Sequence, residues 1–260
     1  MRTIAFNIYM CRGWPQQEEV SKPFRDIVTP DLYAEALGMY NPDVITFSEV
    51  PSNAIVQAIA EPLGMQAVLF DSPVKAHGAL LTRFEVLESK NCPLRFGERP
   101  KNLFTRYWGR AVLDTGKEKL IVHSAHLFPD AQSSMHAKEV EEVIEVIRED
   151  MVSGRSVLLQ GDLNHEPEDR AYERWIEAGL VDTFAAAGTG PVETCGDVRR
   201  APQEDHLDQR IDYIFVYGPI VQRLRECRVL LDPPFRVPAK ASKSWALSDH
   251  SPVMATFNRS

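Results

Sequence analysis

The chain has 260 residues, of which 44% are hydrophobic. That length allows one large domain or two small ones, and no break in the sequence favours two. Lys and Arg number 29 against 37 for Asp and Glu, giving a net charge of −8. This charge argues against a protein that coats nucleic acid by bulk attraction, although it allows a local basic groove.

The cysteines and the N-terminal pattern exclude further classes. The four cysteines have no paired spacing, so we predict free buried thiols rather than a zinc signature or a disulfide framework. No stretch approaches a membrane span, and the N-terminus enters an alternating strand pattern without a charged and apolar leader. We therefore expect a cytoplasmic protein, or a secreted one if a leader has been removed. We also expect a monomer.

The first half of the chain predicts strands that end in polar residues. Arg2 to Tyr9 alternates like a strand packed on one side, and it places Asn7 on the opposite face near its end. The buried strand Val44 to Phe47 runs into Glu49. The other elements predicted here are a loop over Met10 to Thr29, helices over Asp31 to Tyr40 and Pro51 to Leu63, and antiparallel strands over Met65 to Phe70, Gly78 to Thr82 and Phe84 to Glu88.

Basic and aromatic side chains interleave between Cys92 and Arg110. The set comprises Arg95, Phe96, Arg99, Lys101, Phe104, Arg106, Tyr107, Trp108 and Arg110. Such a stretch could follow a phosphate backbone and stack on bases, with Arg106 and Tyr107 in contact with the substrate. The alternative, which we prefer, is a solvated loop whose aromatic rings enter the core.

The second half brings more polar residues to strand ends. A hairpin of the strands Ala111 to Leu113 and Leu120 to Ser124, turned at 114–116, delivers His126, and a helix is expected from Ser133 to Met151. The buried strand Ser156 to Gln160 then meets Gly161-Asp162-Leu163-Asn164, where glycine permits a sharp turn and the two polar side chains can point into one mouth. Alone, this tetrapeptide is as typical of a solvated turn.

The last third repeats the pattern after a helix over Ala171 to Ala178 and a polar loop over Thr189 to Gln209 that contains Arg199 and Arg200. Asp212 is embedded in the strand Arg210 to Val216, and Asp249 and His250 precede the closing strand. The polar strand-end residues are therefore Asn7, Glu49, His126, Asp162, Asn164, Asp212, Asp249 and His250. Oxygen ligands among them suit a hard divalent ion, and the absence of a Cys/His cluster disfavours zinc.

These motifs, in this order, resemble the endonuclease/exonuclease/phosphatase superfamily, which includes DNase I-like and exonuclease III-like enzymes. The resemblance spans nearly the whole chain and implies one domain over residues 1–260. It implies an α/β fold, the four-layered α/β/β/α sandwich of two mixed β-sheets. The implied activity is divalent-metal-dependent hydrolysis of a phosphodiester or phosphomonoester by in-line attack of an activated water.

The resemblance also implies residue roles. Glu49 would be the main ligand of Mg²⁺, with Mn²⁺ as a possible substitute, and Asn7 and Asp249 would lie near the ion. Asp162 would orient or deprotonate the attacking water. The remaining implied roles concern the phosphate: Asn164 and His126 would hold it, and His250, oriented by Asp212, would complete the grip or transfer a proton.

Two departures from the family pattern leave alternatives open. Many members carry Gln where this chain has Ser48, and no tyrosine motif typical of enzymes that cut abasic DNA can be placed near Tyr107. The substrate could be nucleic acid, a small phosphodiester or a phospholipid headgroup. A catalytically inactive phosphate- or nucleic-acid-binding member is the alternative function. A serine hydrolase using Ser248 fails because three consecutive residues cannot form a nucleophile, base and orienting group.

Overall fold

The computed structural model describes residues 1–14, 29–94, 98, 100, 102–196, 207–237 and 245–258. Most of the predicted loop from Met10 to Thr29 lies outside these residues, and so do six members of the basic and aromatic stretches: Arg95, Phe96, Arg99, Lys101, Arg199 and Arg200.

The elements follow one another as strands interrupted by helices. The strands are β1 (Arg2–Asn7), β2 (Val44–Val50), β3 (Gln66–Phe70), β4 (His77–Thr82), β5 (Glu85–Asn91), β6 (Tyr107–Asp114), β7 (Lys119–His126), β8 (Ser156–Asp162), β9 (Val181–Asp182), β10 (Asp212–Tyr217), β11 (Leu224–Val229), β12 (Arg236–Val237), β13 (Trp245–Ala246) and β14 (Val253–Phe257). The α-helices are α1 (Pro30–Gly38), α2 (Asn53–Leu63), α3 (Ser134–Val152), α4 (Arg170–Glu177) and α5 (Thr183–Ala187). Short 3-10 helices cover Tyr9–Cys11, Cys92–Leu94 and Gly218–Arg223.

Within the described residues, the strands form two six-stranded mixed sheets and a two-stranded sheet of β12 and β13. The first has the order β11-β14-β1-β2-β4-β3 and the second β5-β6-β7-β8-β10-β9. In each six-stranded sheet the two central strands are parallel, β1 with β2 and β7 with β8, and the other neighbours are antiparallel. Parallel strands end at the same edge of a sheet, so both sheets bring strand ends to one end of the molecule.

Side-chain alternation divides the core into three layers and confirms the four-layered sandwich. On the outer face of the first sheet, Ile4 and Phe6 pack with Tyr33 and other residues of α1 and α2. Residues of α3 and α4, including Val143 and Trp175, pack on the second sheet. Between the sheets lies a third cluster that contains residues of both, such as Ala5, Leu80, Leu158 and Ile214. None of the helices in the described ranges is both long and apolar enough to span a membrane.

Caps define the ends of the outer helices. The Ser52 hydroxyl accepts a hydrogen bond from the backbone N–H of Ile55 at the start of α2, and Gly64 ends that helix in the left-handed conformation. Ser133 caps α3 in the same way through the N–H of Met135. These residues place the helix starts two residues after Pro51 and one after Ser133, close to the predicted positions.

Among the predicted boundaries that differ from the structure, two lie beside the polar strand ends. Strand β6 begins at Tyr107 rather than Ala111, and the rings of Phe104, Tyr107 and Trp108 are buried, in agreement with the preferred interpretation of this stretch. Strand β8 continues through Gly161 and Asp162, so Gly161 is not a turn residue. Its backbone is held in the sheet by pairing with β7 and β10.

One polar contact crosses the apolar layer between the sheets. The completely buried Gln160 of β8 accepts a hydrogen bond from Thr3 at 2.7 Å and donates to the carbonyl of Ile4 at 3.1 Å and to Thr46 at 2.9 Å. Its carboxamide therefore joins β8 to both β1 and β2, one residue below Gly161.

A buried ion pair attaches the end of α3 to the second sheet. Arg110 of β6 binds both carboxylate oxygens of Asp150, at 2.8 and 2.6 Å, and His123 binds the same carboxylate at 2.9 Å. Burial would raise the pKa of Asp150, but hydrogen bonds from Arg110 and His123 outweigh burial and hold this pKa well below its usual value. Trp108 donates to the other ring nitrogen of His123.

We expect Asp150→Asn to lower the free energy of unfolding by about 3 kcal/mol, because it removes the carboxylate bound by His123 and by the partly buried Arg110, which keeps only its longer contact with Glu88 at 3.5 Å. Urea denaturation at neutral pH measures the loss, and Glu149→Gln, at an exposed position of the same helix, is the matched control. Because the folded-state pKa of Asp150 is depressed, its stabilisation is complete above the unfolded value of about 3.9 and is lost as the pH falls. The difference in the free energy of unfolding between wild type and variant should therefore become smaller below about pH 4. A difference that stays constant with pH would contradict the ion pair.

Candidate active site

Polar residues from both sheets gather at the end of the sandwich where β1, β2, β7 and β8 terminate. Asn7, Glu49, His126 and Asp162 lie at or beside these strand ends. Strand β10 runs antiparallel to β8 and begins there, with Asp212 paired to Asp162. The residues just before β14, Asp249 and His250, complete the group, since β14 is antiparallel to β1.

The tightest cluster consists of Asp162, Asp212 and His250, all buried, whose ligand atoms lie within 4.8 Å of one another. Nδ1 of His250 is 2.7 Å from Oδ2 of Asp212, and its Nε2 is 3.8 Å from Oδ2 of Asp162. An aspartate bonded to Nδ1 fixes the ring orientation and turns Nε2 toward Asp162.

Asn7 joins the two sheets at this cluster. Its Nδ2 lies 3.0 Å from Oδ2 of Asp162, 3.4 Å from Oε1 of Glu49 and 3.4 Å from Nε2 of His250. Its Oδ1 accepts the backbone N–H of Tyr9 at 3.0 Å, which fixes which way the amide points. The Asn7 side chain therefore contacts Glu49 of the first sheet and Asp162 of the second.

Glu49 is presented by an irregularity of β2. The register of β2 against β4 shifts between Phe47 and Val50, and Glu49 has a φ of 56°. A bulge redirects a side chain at a sheet edge, and a positive φ at a non-glycine residue is strain that the surrounding structure must hold. The pairing of β2 on both sides supplies that support and leaves the Glu49 carboxylate half-buried beside Asn7.

Gly161 is required by the close approach of β7. Its φ is 141°, and a Cβ at this position would lie 2.1 Å from the carbonyl oxygen of Ala125. The absence of a side chain allows β8 to stay paired with β7 while Asp162, the next residue, enters the site.

The acids at the site disfavour one another's ionisation. Burial, followed by the nearby Asp212 carboxylate, raises the pKa of Asp162. Burial also raises the pKa of Glu49 and of Asp249, partly opposed in each by the charge of His250. Several carboxylates buried close together repel one another, so nearby positive charge stabilises their ionised forms.

The two histidines differ in charge preference. Burial lowers the pKa of His126 well below its usual value, and the positive charges of Arg106 and His250 add to the shift. Burial opposes the charged form of His250 as well, but Cys195, Asp212 and Asp249 outweigh it and hold this pKa well above the usual range. The surroundings therefore favour the neutral form of His126 and the charged form of His250.

Asn164 and His126 flank Asp162. The backbone N–H of Asn164 lies 3.2 Å from Oδ1 of Asp162, and its side-chain amide donates to the carbonyl of Leu127 at 2.9 Å. Asn164 has a φ of 52°. Nε2 of His126 is 3.5 Å from Oδ2 of Asp162. The structure thus brings both predicted phosphate-binding residues next to the predicted base.

Arg106 and Tyr107, adjacent in sequence, occupy different environments. Arg106 is half-buried and its charge acts on both Glu49 and His126, which places it near the site. Tyr107 is completely buried, and its hydroxyl is 3.2 Å from Ser48 Oγ and 2.8 Å from Ser124 Oγ. Tyr107 is therefore beneath the site and out of reach of a substrate.

The Endonuclease/Exonuclease/phosphatase family model matches residues 4–250. This chain belongs to that family. Solved members with the same fold include an endonuclease/exonuclease/phosphatase family protein from Leptotrichia buccalis, at 16% identity and a TM-score of 0.71. An AP endonuclease from Archaeoglobus fulgidus has 17% identity and a TM-score of 0.70, and a mannosyl-6-phosphatase from Bacteroides thetaiotaomicron has 17% and 0.71. Each comparison covers all of both chains. No curated protein matches this family member in sequence.

The donor set of this family member fits a hard divalent cation. Carboxylate oxygens of Glu49 and Asp249 are the ligand types that Mg²⁺ and Mn²⁺ accept, and Asn7 lies beside them with its Nδ2 directed at Glu49 and its Oδ1 at the Tyr9 N–H. Asp212 Oδ1 is buried and has no hydrogen-bond partner among the residues that the structure describes. The raised pKa values of Glu49, Asp162 and Asp249 indicate negative charge that a cation would offset.

Sequence reasoning missed two residues at this site. The Cys195 thiol lies 3.4 Å from Nε2 of His250, and burial raises its pKa to about 11. Thr194 Oγ1 accepts the N–H groups of Ile211 and Asp212. Both residues lie in the segment predicted as a polar surface loop, where no periodicity marks them.

We expect Gly161→Ala to lower the free energy of unfolding by more than about 2 kcal/mol, because the new methyl group meets the Ala125 carbonyl and the backbone is strained. Gly116→Ala is the matched control, since Gly116 also has a positive φ, 78°, but a Cβ there meets nothing within 4 Å. We expect the control to lose about 1 kcal/mol from strain alone. Equal losses in urea denaturation would show that the contact with β7 is unimportant.

Proposed function

We propose that this chain is a metal-dependent phosphoesterase that hydrolyses a phosphodiester or phosphomonoester by in-line attack of water. The observation that carries this proposal is the buried cluster of Asp162, Asp212 and His250, which Asn7 links to Glu49 across the gap between the sheets. Phosphoryl transfer needs a positioned nucleophile and stabilisation of the equatorial oxygens, and these residues offer groups for both.

Glu49 of β2 and Asp249, in the loop before β14, are the acids of the proposed cation site. Glu49 is the main ligand, with Asn7 and Asp249 beside it, and the ion is Mg²⁺ or Mn²⁺. When bound, the ion supplies charge neutralisation and Lewis acidity to the phosphate. Glu49 is presented by a bulge and held by Asn7, so its carboxylate is preorganised rather than recruited.

Asp162 is the proposed base that orients and deprotonates the attacking water. Its pKa is raised by burial and by Asp212, and a base works best when its pKa approaches the working pH. The amide of Asn7 at 3.0 Å and the backbone N–H of Asn164 at 3.2 Å hold separate oxygens of its carboxylate. These contacts fix the direction in which a lone pair is available.

The groups around Asp162 hold the phosphate. Neutral His126, Asn164 and Arg106 provide hydrogen bonds and positive charge on one side, and His250, oriented by Asp212, provides a cationic N–H on the other. The charged ring of His250 also makes it the candidate to transfer a proton to the leaving oxygen.

The substrate class follows less directly from the fold. Solved relatives at the same 17% identity are named as an AP endonuclease and as a mannosyl-6-phosphatase, so nucleic acid and small phosphate esters are both candidates, and a phospholipid headgroup is a third. A panel containing single- and double-stranded DNA, RNA, abasic DNA, bis-p-nitrophenyl phosphate, p-nitrophenyl phosphate, inositol phosphates and sphingomyelin distinguishes them.

We expect Glu49→Gln and His250→Ala to reduce turnover of the cleaved substrate by more than about 1,000-fold while the fold remains intact, because each removes a group that acts on the reacting phosphate. Circular dichroism and thermal unfolding check the fold. Glu61→Gln, at an exposed position of α2, is the control and should be fully active. Activity within a few-fold of wild type in either site variant would contradict the assignment.

We expect chelation of divalent ions to stop turnover, and added Mg²⁺ or Mn²⁺ to restore it, because the buried acids need a counter-charge. After the chelator has removed bound ions, calorimetric titration should show that the wild type binds metal and that Glu49→Gln binds it more weakly. A protein that binds metal through Glu49 but cleaves nothing in the panel would instead support a binding member of the family.

A further inference from the structure

Glu139 of α3 is a buried acid outside the cluster described above. Its side chain is completely inaccessible to solvent. One carboxylate oxygen accepts the backbone N–H of Phe104, and the other accepts the backbone N–H of Phe128 at 2.7 Å. A single carboxylate on an outer helix therefore binds two chain segments that are 24 residues apart by number.

Both segments lead into the site. Phe104 is two residues before Arg106, and Phe128 is two residues after His126. Between the latter pair, Leu127 donates its N–H to the Asp162 carbonyl at 3.1 Å and accepts the Asn164 amide at 2.9 Å.

We propose that Glu139 is a positioning residue that holds Arg106 and the segment His126–Leu127–Phe128 at the distances needed to bind phosphate. The inference rests on the proposed function of the site and adds to it the residue that fixes the part of the site formed by Arg106 and His126. Glu139 acts through the two backbone N–H groups and touches no reacting atom.

The cost of keeping this acid supports a role beyond packing. Burial raises the pKa of Glu139 to about 7, against the opposing effect of the Phe128 and Phe104 N–H groups and of Arg106. A buried carboxylate is tolerated only when its hydrogen bonds are satisfied, and two N–H donors satisfy it here. Phe104 has a φ of 50°, a conformation that the surrounding contacts must maintain.

The conservative variant Glu139→Gln tests the hydrogen bonds of Glu139 without changing the size of the side chain. It preserves the side-chain shape, but one of the two N–H groups then faces an amide nitrogen instead of an acceptor. We expect kcat/KM to fall about 10-fold or more, as for other residues that orient ligand-binding groups through hydrogen bonds without touching the ligand. Glu149→Gln on the exposed face of α3 is the control and should match wild type.

A double-mutant cycle with Arg106→Ala tests whether the two residues act together. If Glu139 works partly through Arg106, the loss in the double variant is smaller than the product of the single losses. Hydrogen exchange should also speed up at the Phe104 or Phe128 amide in Glu139→Gln. Losses that multiply, or unchanged exchange at both amides, would overturn the proposal.

Binding of inorganic phosphate to the Mg²⁺-loaded protein supplies a readout that does not depend on turnover. We expect Glu139→Gln and Arg106→Ala each to weaken phosphate affinity about 10-fold, and their combination to weaken it by less than the product. If the wild type cleaves no ester but binds phosphate with this coupling, the proposed function fails and the positioning role stands. If the wild type cleaves and Glu139→Gln matches it, the positioning role alone fails.

Discussion

The carboxamide of Gln160 fixes the position of one sheet relative to the other, and the site depends on that position. Glu49 and Asn7 belong to the first sheet, whereas Asp162 belongs to the second, so the 3.0 Å contact between Asn7 and Asp162 spans the interface. Apolar packing between sheets is non-directional, but the three hydrogen bonds of Gln160 specify one lateral arrangement. Because Gln160 lies two residues before Asp162, its hydrogen bonds restrain the two sheets close to the site.

Local strain and buried charge concentrate where the sheets meet. Glu49 and Asn164 have positive φ values without being glycine, and the pKa values of Asp162 and Asp249 are raised by burial. Each feature costs stability that the three apolar layers must supply. The proposed cation would offset part of this cost, since positive charge relieves the repulsion among the carboxylates.

Much of the site could be predicted from the sequence because parallel strands end at one edge, so polar residues after buried runs converge. The bulge at Glu49 could not, since register depends on the partner strand β4. The exact position of the Tyr107 ring could not be predicted either, because it depends on Gly78, distant in sequence, where a Cβ would overlap that ring. Local patterns do not report contacts between residues so far apart in the chain.

The serine at position 48 shows how the departure from the common family pattern is accommodated. Ser48 Oγ reaches the Tyr107 hydroxyl, which in turn reaches Ser124 Oγ, forming a chain across the sheets directly beneath Glu49. The Tyr107 ring stacks parallel to Phe70, with 6.4 Å between centroids, and fills the space beneath the site. Because this aromatic residue is buried in the interior, the proposed contact with the substrate on that side would be made by Arg106, the half-buried cation beside it in sequence. Under the proposed function, a positive group rather than an aromatic ring would face the substrate there, which favours recognition of the phosphate over stacking on a base.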